Sequence, residues 1–224
     1  TSTLAAGAWA SGGAVNTARR DPASGGAGIQ TAALCIGGDS PAVAIVELYN
    51  GSSWSEVGDL NKARANGGAA GLSTAALTFG GTPPVSNETE TYDGSSWTEV
   101  ANLTTARSEL TGIGISTAAL AVGGSPSPQI NESWNGTSWT EVGDLNTARQ
   151  ATSSAGTQTA GLIIAGGYPQ IANVESWDGS SWTEIADLNA AKQELAAGGT
   201  QTSAVAFAGN PGGATTESWD GSSW

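Results

Sequence analysis

Five tryptophans recur at a nearly constant interval along the 224 residues of this chain. Successive members lie 43, 42, 43 and 42 residues apart, and they are Trp54, Trp97, Trp139, Trp182 and Trp224. Self-similarity at a fixed period of this length is the signature of a repeat architecture. A unit of about 43 residues is too small to bury a core alone, so we expect the units to share one core.

The first four of these tryptophans each begin a stretch of similar sequence, such as W-T-E-V-G-D-L-N-T-A-R at 139–149, and a more divergent copy starts at Trp9. An apolar run follows and ends in a pair of small residues: Gly37-Gly38, Gly80-Gly81, Gly123-Gly124, Ala165-Gly166 and Ala208-Gly209. Next comes a glutamate two residues before an aromatic: Glu47/Tyr49, Glu90/Tyr92, Glu132/Trp134, Glu175/Trp177 and Glu217/Trp219. The order of these features is the same in every unit.

These features predict four short strands, a to d, in each unit. Strand a is glycine-rich, as in 112–115, and strand b is the apolar run, as in 75–79. Strand c carries the glutamate and the aromatic, and strand d carries the periodic tryptophan. Asp178-Gly179, between strands c and d, indicates a hairpin because both residue types tolerate positive φ. Apolar residues alternate with period two and no stretch has helical periodicity, so we predict an all-β protein.

Four-stranded units repeated around an axis are the blades of a β-propeller. We predict a single domain over 1–224, a five-bladed β-propeller with four antiparallel strands per blade. Strand a is expected next to the axis, where space is least, and the aromatics of strands c and d between neighbouring blades. The predicted blades are approximately 20–58, 65–101, 108–143, 150–186, and 193–224 together with 7–14.

The N-terminal segment is predicted to close the ring. Residues 7–14, with Trp9, would form strand d of the fifth blade, which leaves no unpaired sheet edge to protect. Trp9 and Trp224 compete for one position in this scheme. We expect Trp9 to fill it and residues 222–224 to be peripheral. There are two alternatives: the chain is part of a longer repeat array, or subunits complete each other's blades by exchanging strands.

The order of these motifs resembles that of kelch repeats. In that family a strand ending in Gly-Gly is followed by an aromatic, a tryptophan, a leucine and an arginine. One unit here reads Gly80-Gly81, Tyr92, Trp97, Leu103 and Arg107. The resemblance covers almost the whole chain and implies a β-propeller. The period is shorter than the roughly 50 residues of kelch repeats, so the chain resembles a compact kelch-like variant. The sequences of its repeats are nearly identical to one another. In this respect the chain resembles tandem-repeat proteins of marine phages and bacterial surfaces, and designed consensus propellers.

Composition argues against several classes of function. Twenty acidic residues face seven basic ones, and a net charge of −13 repels nucleic acids and anionic membranes. No apolar run is long enough for a membrane span. The chain has no histidine and one cysteine, which excludes histidine-dependent triads and His- or Cys-rich metal sites. A glycosidase pair of carboxylates is formally open, but a catalytic pair should break the repeat, which the glutamates follow. We expect no enzyme activity, no cofactor and no metal.

Two sets of charged residues recur at equivalent positions. The basic set is Arg19, Arg64, Arg107, Arg149 and Lys192. The acidic set is Glu47, Glu90, Glu132, Glu175 and Glu217. We predict a ring of structural ion pairs between them, because one pairing can be repeated in every unit and carboxylates fit guanidinium groups. The alternative is that the basic set forms an anion site near the mouth of the channel.

The connections between strands b and c vary most in length and sequence. They emerge on the same face as the connections from strand d to strand a. Since binding commonly uses loops held by a rigid scaffold, the candidate recognition residues are Ser40, Pro41, Pro83, Pro84, Pro126, Pro128, Tyr168, Pro169, Gln170 and Asn210. Tyr168 is the candidate exposed aromatic. Drift in unconstrained loops would explain the variation equally well.

We therefore expect a non-enzymatic structural or adhesive module of an extracellular or virion assembly. Its partners would be other protein subunits or a surface glycan. The alternative is a lectin-like protein with repeated carbohydrate sites between the blades. The two hypotheses differ in the exposure of Trp134, Trp177 and Trp219. Burial would make these rings part of the core, whereas exposure beside polar groups would favour the lectin.

Overall fold

The computed structural model of this chain describes residues 12–39 and 41–224, and within these ranges it is all-β, without a helix. Blade 1 consists of β1 (Ala27–Ile29), β2 (Ala32–Ile36), β3 (Val46–Tyr49) and β4 (Trp54–Glu56). Blade 2 consists of β5 (Gly68–Leu72), β6 (Ala75–Phe79), β7 (Thr89–Tyr92) and β8 (Trp97–Val100). Blade 3 consists of β9 (Thr111–Ile115), β10 (Ala118–Val122), β11 (Asn131–Trp134) and β12 (Trp139–Val142). Blade 4 consists of β13 (Ser153–Thr157), β14 (Ala160–Gly166), β15 (Ile171–Trp177) and β16 (Trp182–Ile185). Blade 5 consists of β17 (Gln193–Thr200), β18 (Ser203–Asn210) and β19 (Thr216–Trp219).

The five sheets are the blades of one β-propeller, which confirms the predicted fold class. Within each blade the strands follow chain order and each pairs antiparallel with the next. The first strand of each blade contacts the first strand of the next, as β5 contacts β9 and β13 contacts β17. The glycine-rich strands therefore lie innermost, as their small side chains predict.

A compact turn joins strands c and d. In blade 4 the Asp178 carboxylate accepts hydrogen bonds from the backbone N–H groups of Ser180 and Ser181, both at 2.8 Å. The turn places Trp177 opposite Trp182, with ring centroids 5.2 Å apart. Aromatic pairs at such distances contribute about 0.5–1.5 kcal/mol beyond the area that they bury. The repeated phrase thus specifies a hairpin in blades 1 to 4 and the same turn after strand c in blade 5.

Acid is expected to destabilise the protein through these turns. Hydrogen bonds from the following serines hold the pKa values of Asp93, Asp178 and Asp220 at about 2. A carboxyl whose pKa is lowered by folding stabilises the fold above its unfolded pKa, and that contribution disappears as the pH falls through the folded pKa. The melting temperature should therefore be level near neutral pH and decline between about pH 4 and pH 2.

Blades 1 and 3 suggest the control for this measurement. Asn50 and Asn135 occupy the same turn position and accept the same hydrogen bonds from backbone N–H groups. The triple variant Asp93→Asn, Asp178→Asn, Asp220→Asn should keep the turns and show a shallower decline below pH 4. A decline in melting temperature below pH 4 identical to that of the parent chain would contradict this account.

The hydrophobic core is divided among the contacts between neighbouring blades. One cluster joins blades 2 and 3, where Leu77 and Phe79 pack with Trp134 and Trp139. Equivalent clusters join blades 1 and 2, blades 3 and 4, and blades 4 and 5. Phe79 and Trp139 meet edge to face, with centroids 4.9 Å apart. Because each core contains residues from two blades, no blade is expected to fold alone.

The prediction that residues 222–224 are peripheral is wrong for Trp224, although 222 and 223 are exposed. Trp224 lies 5.4 Å from Trp219, the same relation that Trp182 has to Trp177, and it packs against the core between blades 4 and 5. The repeat therefore continues to the last tryptophan. The predicted closing strand at 7–14, with Trp9, lies outside the described residues except for 12–14, which are not in a strand. Blade 5 has three described strands.

A belt of backbone hydrogen bonds runs around the axis from blade 1 to blade 5. Each blade has one residue with a left-handed φ of 52–56° before strand a or in its first two positions, and these belt residues are Asp21, Asn66, Glu109, Ala151 and Glu194. Each N–H from the second member onward donates to the carbonyl of the preceding member, at 2.7–3.0 Å. The belt joins the inner edges of adjacent blades through the backbone alone. The side chains at these positions are therefore free to differ.

Replacing Ala151 by glycine should raise the free energy of unfolding by roughly 0.5–1 kcal/mol. A left-handed φ costs an L-residue roughly 1–2 kcal/mol, and glycine avoids this cost. Part of the gain is lost because glycine gives the unfolded chain more conformational entropy. Thermal and denaturant unfolding measure the change. Ala160→Gly is the control, because Ala160 is a half-buried strand residue without a positive φ, and there glycine should destabilise. A loss of stability in both variants would contradict the assigned φ.

Ser24 lies on the axis and connects blade 1 to three other blades. Its N–H donates to the Gly67 carbonyl of blade 2 at 2.8 Å. Its hydroxyl lies 3.3 Å from Thr111 Oγ1 and 3.3 Å from the Thr152 carbonyl, in blades 3 and 4. A Cβ at the next residue, Gly25, would overlap backbone atoms of blades 2 and 3. Glycine is required where the chain crosses the axis so closely.

The small pair at the end of strand b makes a second set of links between blades. Its first member has a left-handed φ of 55–66° in every blade: Gly37, Gly80, Gly123, Ala165 and Ala208. The N–H of the second member donates to the carbonyl of the basic residue of the next blade, as from Gly81 to Arg107 at 2.9 Å. Because the two alanines adopt the glycine conformation, the departures from Gly-Gly leave the backbone geometry unchanged.

Candidate recognition site

The charged sets predicted to pair lie side by side in four blades. The closest nitrogen-to-oxygen distances are 2.6 Å for Arg19–Glu47, 2.7 Å for Arg64–Glu90, 2.9 Å for Arg107–Glu132 and 2.5 Å for Arg149–Glu175. These side chains are at most 4% exposed. Because the guanidinium groups are enclosed and already paired, the geometry favours a structural role over the alternative anion site.

Each paired carboxylate is also held by the connection that enters its blade. Glu90 Oε2 accepts hydrogen bonds from the Asn61 backbone at 2.7 Å and from the Asn61 side-chain amide at 2.9 Å. In blade 3, Thr104 supplies a backbone N–H and a hydroxyl instead. Burial raises the pKa of the Glu47 carboxyl, but hydrogen bonds from Asn16 and its neighbours outweigh burial and leave the pKa below its ordinary value. In blade 1 the repeated phrase thus keeps the buried Glu47 carboxylate ionised.

Blade 5 departs from this arrangement. In blade 3, Arg107 makes two contacts with different nitrogens. Its Nη1 donates to the Gly123 carbonyl of the small pair, and its Nη2 donates to the Glu132 carboxylate. Lys192 has one ammonium group, which donates to the Ala208 carbonyl at 3.2 Å. Glu217 accepts hydrogen bonds from the preceding connection instead. The structure does not bring Lys192 and Glu217 together, because lysine lacks the second arm of a guanidinium group.

The candidate recognition residues lie on one face of the propeller, and all but one of those described are exposed. The exposed ones are Pro41, Pro83, Pro84, Pro126, Tyr168, Pro169, Gln170 and Asn210, while Pro128 is half-buried. Ser40 lies outside the described residues. Among them, Tyr168 also lines a cavity on the propeller axis, and its side chain is 56% exposed. The structure therefore separates Tyr168 from the other loop residues.

The axial cavity has a volume of about 590 Å³. All five belt residues line it, and Ser24 and Gly25 lie at its base, where the chain crosses the axis. Thr152 and Ser153 of blade 4 also line it. The cavity is thus formed by every blade and opens on the face that carries the b–c loops.

The rim of the cavity is acidic. Tyr168 donates a hydrogen bond to Glu194 Oε1 at 2.7 Å, and the Gln150 amide donates to Glu109 Oε2 at 2.9 Å. Burial, together with the charges of Glu194 and Asp21, raises the pKa of Glu109. Burial and the hydrogen bond to Glu194 raise the pKa of Tyr168 to about 12. Three carboxyl groups therefore share one electrostatic environment.

The aromatic rows belong to the core. Trp134, Trp177 and Trp219 are 2%, 1% and 6% exposed, and Tyr92 is 3% exposed. These rings offer no open face to a sugar between the blades. On the opposite face of the propeller, by contrast, blades 1 to 3 expose an apolar residue at the end of strand a: Ile29, Leu72 and Ile115.

Sequence reasoning missed the belt residues and hence the cavity. They lie two positions after each member of the basic set, a fixed offset that the repeat alignment contains. Their residue types differ from blade to blade, as between Asn66 and Ala151, so they do not form a visible motif. Only the shared left-handed φ groups them.

No known protein family and no curated protein matches the chain. Within 12–39 and 41–224, no three His, Cys, Asp or Glu side chains are arranged to hold a metal ion. No helix of sufficient length and hydrophobicity to cross a bilayer occurs in the same part of the chain.

Proposed function

We propose that this propeller is a non-enzymatic recognition module, a compact kelch-like variant in an extracellular or virion assembly. Its repeats are similar in style to those of phage and bacterial surface proteins. It would hold an assembly together or attach it to a surface by binding a protein subunit or a surface glycan. The negative charge of the chain suits solubility in such a setting.

The contrast between the two faces supports this proposal most. The c–d turns are near copies of one another in all five blades. The b–c loops differ in every blade and are largely exposed, and Tyr168 of the blade 4 loop lines the axial cavity. Binding commonly uses variable loops on a rigid scaffold, and pockets of roughly 300–1,000 Å³ are typical of ligand sites.

A lectin with repeated sites between the blades receives less support, because the rings of Trp134, Trp177 and Trp219 are buried. A single carbohydrate site at the axial cavity is the better form of that alternative. Tyr168 provides an exposed ring there, beside the Glu194 carboxylate.

Binding selections with two surface variants test the proposal. The purified chain is screened against a glycan array and a displayed random-peptide library, and the ligands recovered are measured against both variants. The loop variant carries Pro83→Gly, Pro84→Gly, Pro126→Gly and Tyr168→Ala. The control carries Ile29→Thr, Leu72→Thr and Ile115→Thr on the opposite face, since Thr157 and Thr200 occupy that position in blades 4 and 5.

We expect the loop variant to lose at least tenfold in affinity for the recovered ligands and the control to bind as the parent chain does. Ligands that depend on the control face instead, or no ligand in either selection, would contradict the proposed function. Circular dichroism of both variants establishes that they are folded.

A further inference from the structure

We propose that the axial cavity binds an organic cation, an ammonium or guanidinium group that enters along the propeller axis. This inference rests on the proposed function and names the ligand class of the same site. The cation is either a lysine or arginine side chain of a protein partner or a free polyamine.

The charge of the cavity supports a cationic ligand. Asp21, Glu109 and Glu194 line it from blades 1, 3 and 5, and none of the described lining residues is Lys or Arg. The nearby Arg20 lies 3.6 Å from the Asp21 carboxylate and 3.7 Å from the Asp39 carboxylate, and its side chain is 73% exposed. A cleft of one charge sign between low-dielectric walls concentrates ligands of the opposite sign.

The base of the cavity supplies oxygen acceptors. Ser24 and Ser153 line the cavity, and a serine hydroxyl oxygen accepts hydrogen bonds. An ammonium group, with three donors and no acceptor, complements such a base and the carboxylates above it.

The rim supplies an aromatic ring. Tyr168 is 56% exposed, and the hydrogen bond from its hydroxyl to Glu194 fixes the ring beside the carboxylate. A cation over the face of a tyrosine ring is attracted by the quadrupole of the ring. An anion would gain nothing from the ring and would be repelled by the three carboxylates.

Titration followed by amide NMR of the full chain tests the inference. One arm uses Nα-acetyl-lysine methylamide and Nα-acetyl-arginine methylamide, and the other uses spermidine. Sodium chloride at matched ionic strength is the blank. We expect saturable shifts of the Asn66, Glu109 and Ala151 amides in at least one arm. The stronger arm identifies the source, a partner side chain or a free polyamine. Shifts in both arms no larger than in the blank would overturn the proposal.

Charge-neutral variants locate the binding. Glu109→Gln with Glu194→Gln should weaken the affinity for the cation at least tenfold. The matched control is Glu99→Gln with Glu141→Gln, which removes the same charge from exposed strand-d positions and should change the affinity less than twofold. Equal weakening by both pairs would overturn the proposal, because general electrostatic attraction would then explain the binding.

Two substitutions of Tyr168 separate the ring from its hydroxyl. Tyr168→Phe keeps the ring and should bind within threefold of the parent, whereas Tyr168→Ala should bind several times more weakly. An equal loss in both would remove the ring from the argument and overturn this part of the proposal. If the cations fail to bind but loop-dependent ligands are still recovered, the ligand class is wrong and the recognition face stands.

Discussion

Replacing Glu132 by alanine should lower the free energy of unfolding by about 3–5 kcal/mol, the usual cost of leaving a buried charge without its partner. Arg107 and Glu132 are both completely buried, with closest atoms 2.9 Å apart. Without the carboxylate, the enclosed guanidinium keeps only backbone carbonyls as partners. Urea unfolding measures the loss, which corresponds to a fall in melting temperature of roughly 6–20 °C for a chain of this size.

Blade 5 provides the matched control, because Glu217 occupies the equivalent position and does not pair with Lys192. Glu217→Ala removes hydrogen bonds from the Asn189 connection, so it should cost about 1 kcal/mol. The double variant Arg107→Met, Glu132→Leu should recover much of the stability lost by Glu132→Ala, since apolar replacements of buried pairs are often neutral. Equal losses at Glu132 and Glu217 would contradict the buried pairing.

Replacing Gly112 by alanine should cost about 3 kcal/mol or more, because overpacking a well-filled site forces backbone shifts. A Cβ at Gly112 would overlap the Ala69 carbonyl of the neighbouring blade and lie 2.9 Å from Phe79 Cζ. Backbone atoms cannot rotate away, so the inner strands of blades 2 and 3 would have to separate. Chemical denaturation of the purified variant measures the cost.

The control is the same substitution in another innermost strand. A Cβ at Gly198 in β17 meets nothing within 4 Å. Gly198→Ala should therefore be neutral or slightly stabilising, because alanine reduces the entropy of the unfolded chain. Similar losses at Gly112 and Gly198 would show that the inner strands are not packed as described.

The number of blades, the strand order and the buried ion pairs could be predicted from the sequence because each depends on residues that repeat. Arg64 and Glu90 recur at fixed positions, and repetition alone indicates that they share a structural role. The same logic failed at Lys192, where a charge-conserving change removed the second nitrogen needed to reach Glu217. A repeat alignment records charge but not the reach of a side chain.

The cavity could not be predicted because its lining is defined by backbone conformation rather than residue type. Asp21, Asn66 and Ala151 share a left-handed φ and a hydrogen-bonding position, yet nothing in their side chains relates them. The loop pattern did identify Tyr168 as an exposed aromatic. Its proximity to Glu194 required the folded ring, since 26 residues separate the two.

Amide hydrogen exchange at the belt tests the central claim most directly, namely that five sheets surround one axis and are joined at their inner edges. In the propeller, the N–H groups of Asn66, Glu109, Ala151 and Glu194 are each bonded to the preceding blade. They should exchange as slowly as the amides of the central strands, through global unfolding alone. Exchange at these four amides at the rate of exposed loops, with the central strands still protected, would show that the blades do not meet in this ring.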